Sequence, residues 1–157
     1  MTSPAPPPST ARPDDPADAA LADAVAVEHA TIYGYGVVSA HCAPDVNHLV
    51  SASLREHRRL RDAATGRLTA RDVTAPVAAA GYQLPDRVAG PADAARLATR
   101  MEDDAAVAWR AVVEQAGSAE ERRFAVGALT GCAVRAARWR QVLQTPPLTE
   151  PFPGGPE

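Results

Sequence analysis

Lysine is absent from the chain: all 16 basic residues among its 157 are arginine. Set beside 35 alanines, that bias reads as codon usage and carries no nucleic-acid signature. Aromatic residues make up 4% of the chain, so the flat side chains that favour strands are scarce while helix formers abound. Cysteine occurs only as Cys42 and Cys132, with no Cys-x-x-Cys pair, which supports neither a disulfide scaffold nor a zinc ribbon. No stretch approaches the ~18 uninterrupted apolar residues of a membrane span, and residues 1–15 lack the apolar run of a secretory signal. A cytoplasmic protein with no membrane attachment is therefore expected. The net charge of −3 arises at the ends, because residues 16–144 hold 15 acids and 15 arginines. A neutral body has no polyanion-binding stripe, so no nucleic-acid partner is expected.

What the chain has in quantity is proline at its ends. Ten of the 15 prolines lie at positions 4–13 and 146–156, which marks residues 1–15 and 145–157 as Pro-rich tails, flexible by composition. Phe152 in the second tail suits either a docking peptide or packing back onto the body. Between the tails, four helices are expected. Asp15 and Pro16 supply an N-cap and a first-turn proline for a helix to about His41, with Leu21, Val25, Glu28, Ile32, Tyr35 and Ser39 on one stripe. Asp45 is placed to cap a second helix to about Leu68. Gly90 and Pro91 open a third that runs to Ala116, with Gly117 as a left-handed stop. Ser118 and Glu121 form a capping box for a fourth that ends near Gln144. The first and third links are short and the second, about Thr69 to Gly90, is long enough to run back along a helix of ~39 Å. Short, long, short is the connectivity of an all-α bundle with one long crossover between helices 2 and 3.

The midpoints of four such helices share one level, and there stand Glu28, Glu56 with His57, and Glu102. Buried carboxylates and an imidazole must pair with one another, with arginine or with a metal ion. In the stretches VEHATIYGYGV (27–37), REHRRLRD (55–62), RMEDDAAVAW (100–109) and AVRAARWR (133–140), residues 16–144 resemble the ferritin-like superfamily, in particular actinobacterial ferritin-like proteins grouped as a domain of unknown function. The resemblance implies a ferritin-like four-helix bundle. Its metal-bearing members carry two iron or manganese ions on a Glu from each of two helices and Glu-x-x-His from each of the others. Glu28 and Glu102 match the single Glu positions. Helix 2 departs from the motif: Arg59 stands three residues after Glu56, and His57 lies about 100° around the helix from Glu56. Helix 4 has no acid or histidine after Glu121; its inward row is Ala125, Ala128, Cys132, Arg135 and Trp139.

At that level helix 4 offers Thr130, Gly131 and Cys132, and Arg135 one turn on favours a buried network of Glu28, His57, Glu102 and Arg135, with no cofactor and a degenerate metal site. The expected function is accordingly a non-catalytic binding or structural module. One alternative is a mononuclear or atypical di-metal oxidoreductase, with iron or manganese on Glu28, Glu56, His57 and Glu102, acting on O2 or peroxide. Another is a small anion-binding bundle using Arg55, Arg58, Arg59 and Arg61. His29 is expected on a flank of helix 1. His41, His48 and Asp45 are expected to be solvated, with a surface metal site as the sharper reading. Arg138 and Arg140 flank Trp139 for stacking contacts of a structural kind. The glycines of Tyr33-Gly34-Tyr35-Gly36 and of Gly127-x-x-x-Gly131 suggest tight helix contacts or the seam of a homodimer. Cys42 lies about 21 Å along the axis from Glu28, so it and the mid-helix Cys132 are expected as free thiols.

Overall fold

A computed structural model describes residues 11–155. The N-terminal tail expected over residues 1–15 falls outside the described residues for its first ten positions. The described residues form helices α1 (Pro16–His41), α2 (Asn47–Thr69), α3 (Pro91–Gln115) and α4 (Ala119–Leu143), with a 3-10 turn at Pro44–Val46 and no strand.

The helix ends follow local chemistry. The Asp15 side chain accepts from the amides of Ala17 and Asp18, and Ser118 Oγ accepts from the Glu121 amide at 3.1 Å. Glu121 returns the bond to the Gly117 amide, one residue earlier than a standard capping box. Two expected signals act differently. Asp45 does not cap α2; it lies inside the 3-10 turn, and the helix starts after Val46 without a side-chain cap. Gly117 does not take a left-handed conformation, because the chain leaves α3 through the extended ψ of Ala116.

Ion pairs at one end reveal the helix directions. Arg71, just past the end of α2, holds Asp18 in the first turn of α1 at 2.6 Å and also contacts Glu121 in the first turn of α4. The beginnings of α1 and α4 and the end of α2 therefore share one end of an all-α four-helix bundle. Residues 70–90 return the chain to the other end along α1. His29 Nε2 meets the Pro76 carbonyl at 3.2 Å, and the Tyr33 and Tyr82 rings meet at a tilt, their centroids 5.3 Å apart.

Packing divides the interior in two. One apolar cluster, around Leu21, Val25, Leu60, Leu68 and Trp109, fills the Arg71 end. A second, around Tyr35, Val38, Val50, Leu97 and Met101, fills the other. On α1 Thr31 and Val38 are buried where Ile32 and Ser39 were expected: the buried positions Leu21, Glu28 and Tyr35, and Ala24, Thr31 and Val38, repeat every seven residues, the 3.5-residue seam of packed bundle helices. Gly34 is buried beneath Met101, whose sulfur occupies the space of a Cβ, so close approach of α1 and α3 explains this glycine. Gly127 is exposed with open space around it, and no tight helix contact accounts for it. Beyond α4 the chain lies across α3. Gly154, with φ 71°, sits where a Cβ would stand 2.6 Å from the Ala106 carbonyl oxygen, and its own carbonyl accepts from Arg110. Phe152 on this stretch is 85% exposed.

Candidate functional site

Between the two apolar clusters lies a polar layer to which each helix contributes. Glu28 from α1, His57 from α2 and Glu102 from α3 are each 0% exposed, and Arg135 from α4 is 9% exposed. His57 bridges the two acids: Nδ1 lies 2.7 Å from Glu28 Oε2 and Nε2 lies 3.1 Å from Glu102 Oε1. Arg135 Nε donates to both oxygens of Glu102, at 2.9 and 3.0 Å. One turn or two away along the same faces, Trp109 donates to Glu28 Oε1 at 2.7 Å, Tyr35 donates to Glu102 Oε1 at 2.6 Å, and Trp139 donates to the Tyr35 hydroxyl at 2.9 Å.

The geometry fixes the protonation. Both imidazole nitrogens face carboxylate oxygens, and a neutral ring would turn a lone pair toward one of them, so His57 is an imidazolium. Burial pushes its pKa down, but hydrogen bonds and charge from Glu102 and Glu28 outweigh that and raise it to about 9. Burial likewise pushes the Glu102 carboxyl up, and His57, Arg135 and Tyr35 together hold it below its ordinary value. The Tyr35 phenol and the Cys132 thiol are raised well above theirs, by burial first and by the Glu102 charge next. Two carboxylates face one imidazolium and one guanidinium, so the layer is electroneutral. Among the described residues no buried side-chain nitrogen or oxygen lacks a partner.

Glu56 stands apart from the layer. It is about 100° around α2 from His57, points outward, and is held by Arg59 at 2.6 and 3.0 Å, which lowers its carboxyl pKa. His29 is spent on the crossover, while His41 and His48 cap the carbonyls of Val37 and Asp45 and do not converge. On α2, Arg55 and Arg58 are exposed, and Arg59 and Arg61 already hold Glu56 and Asp62. Cys42 and Cys132 are both free. The inward row of α4 is Ala125, Ala128, Cys132, Arg135, Ala136 and Trp139.

Sequence reasoning had not joined Tyr35, Trp109 and Trp139 to the layer. The signal was present as spacing: Tyr35 follows Glu28 by seven residues, Trp109 follows Glu102 by seven and Trp139 follows Arg135 by four, each on the face of its charged residue.

The iron or manganese that a ferritin-like resemblance implies does not fit this donor set. His57 offers no lone pair, both oxygens of each acid already accept hydrogen bonds, and a guanidinium stands where α4 would bring a ligand. Among the described residues no group of three or more His, Cys, Asp or Glu side chains is arranged to hold a metal ion. No helix of the described residues is long and apolar enough to cross a membrane.

No match was found among curated proteins. A crystal structure of a conserved hypothetical protein, rv2844, from Mycobacterium tuberculosis is similar, at 60% identity and a TM-score of 0.81, over 83% of this chain and 98% of that one. The match that covers most of the bundle, residues 20–157, is to a domain of unknown function, DUF4439, and the chain belongs to that family.

Proposed function

We propose that the protein is a ferritin-like bundle whose metal level has become an internal ionic layer, and that it acts as a non-catalytic binding or structural module, in the cytoplasm and as a homodimer. The observation that carries this reading is His57, whose two nitrogens are both committed to carboxylates. A metal at this level would have to displace the imidazolium proton and the Arg135 contact together, against a buried, fully paired network. The open stretch of α4 at Gly127, Thr130 and Val134 suits binding better than turnover, since no nucleophile with a neighbouring base lies on it.

Metal analysis of protein purified without chelator tests the reading, with Glu28→Gln as the control. Near-stoichiometric iron or manganese that disappears in the variant overturns it, as does oxygen uptake by wild-type protein after anaerobic loading with Fe²⁺. Metal-free protein with an unchanged melting temperature in added Fe²⁺ or Mn²⁺ supports it. The dimer is tested by light scattering, where a monomer mass at high concentration removes that part of the proposal.

A further inference from the structure

The fold leaves a groove of about 410 Å³ between α2 and α4, on the far side of Arg135 from Glu102. Its volume lies in the range of small-molecule sites. Leu49 and Ala52 of α2 and Val134 of α4 form apolar walls, with Trp139 and Arg135 at the base.

The donors at this groove are only partly used. Arg135 spends Nε on Glu102 and one terminal nitrogen on Cys132 Sγ at 3.3 Å, a weak acceptor. Its other terminal nitrogen has no acceptor among the described residues and lies against Gly131, where a Cβ would stand 3.1 Å from it. Arg138, exposed on the same wall, has no acid partner among the described residues. The one acid on the groove, Glu56, is held by Arg59. With Arg135 balanced by Glu102, the uncompensated charge is the single positive charge of Arg138.

We propose that this groove binds a small amphipathic monocarboxylate, its carboxylate shared by Arg135 and Arg138 and its apolar body lying along Leu49, Ala52 and Val134. One unbalanced positive charge favours a monoanion over a phosphate dianion, and the planar guanidinium suits a carboxylate. The proposal rests on the binding-module reading, which keeps Arg135 a fixed cation.

Octanoate titrated into the full-length protein, followed by calorimetry, is the test, with octanol and inorganic phosphate as comparison probes. Saturable octanoate binding that weakens with salt is expected, with octanol and phosphate at least about tenfold weaker. Two variants avoid the buried layer. Gly127→Leu fills the groove from a position with open space around it, and Arg138→Gln removes an exposed charge. Both are expected to keep the wild-type helix content and to weaken octanoate about tenfold or more.

Absence of saturable binding overturns the proposal, as does binding that both variants leave unchanged or that octanol matches. If Gly127→Leu instead dissociates a dimer that binds no octanoate, a second copy covers the groove and the proposal fails. Metal analysis of the same sample separates the two ideas: metal-free protein that ignores octanoate overturns only the ligand, whereas bound iron or manganese overturns the module reading whether or not octanoate binds.

Discussion

Trp109 and Glu28 meet inside the bundle, the indole Nε1 donating to Oε1 at 2.7 Å across 81 residues of sequence. That bond leaves Oε2 free for His57, so the indole decides how the acid is shared. Trp109→Phe keeps an aromatic ring but loses part of the indole volume, and leaves one buried carboxylate oxygen without a donor. A loss of about 1–3 kcal/mol in urea unfolding is expected. Trp139→Phe loses the same ring volume but breaks a bond to a hydroxyl that keeps Glu102 as partner, and is expected to cost less.

Removing the imidazolium itself is more severe. His57→Leu leaves Glu28 and Glu102 buried with one remaining cation, Arg135, which touches Glu102 and not Glu28. The expected cost is about 3–5 kcal/mol, enough to unfold a marginal bundle. A denaturation midpoint within error of wild type would mean that His57 does not hold the layer together.

Stability should fall on the alkaline side. The His57 pKa rises from an ordinary 6.5 to about 9 on folding, so its contribution is complete below 6.5 and is lost as pH climbs through 9. At about 1.4 kcal/mol per unit the loss is on the order of 3 kcal/mol. Glu102 moves the opposite way: its carboxyl is lowered, so its contribution is present above 4.5 and disappears as pH drops below it. Thermal melts across pH should therefore peak between 4.5 and 6.5, and His57→Gln should flatten the alkaline limb.

The paired glycines of α1 should respond in opposite directions. Gly34→Ala places a methyl where the Met101 sulfur lies and forces that side chain aside, a loss of about 1–3 kcal/mol. Gly36→Ala meets nothing within 4 Å and gains helix propensity, about 0.5–1 kcal/mol. Urea midpoints of the two single variants compare them directly.

Thiol chemistry should separate the cysteines. Cys132 is fully buried with its pKa raised, while Cys42 is half-buried at the end of α1. Native Cys42→Ser protein should therefore react with a thiol reagent only as fast as it unfolds.

The bundle was legible because its punctuation is local. Asp15, Pro16, Pro91 and Ser118 act at their own helix ends, and the lengths of three links decide the connectivity. The inward row of α4 was legible for a related reason, since alanines and one tryptophan at helical spacing leave a single face to bury. Asp45 and Gly117 were not, because tertiary packing can end a helix without the cap its sequence offers. Glu56 stood beside His57 as a candidate metal ligand because adjacent residues share an axial level, and only rotation about α2 separates the two. The indole and phenol donors were hidden because hydrogen bonds between helices leave no mark within any one of them beyond a shared face.

The crossover divides the chain into two hairpins, α1 with α2 and α3 with α4. The first carries Glu28 and His57, the second Glu102 and Arg135, so each half is charge-neutral at the layer and neither half is satisfied alone. Trp109 reaches Glu28 from the second half, and Tyr35 reaches Glu102 from the first. The interior therefore works as a recognition code between halves: two fragments separated within residues 78–81 present complementary donors and acceptors and should reassemble with each other in preference to pairing with themselves.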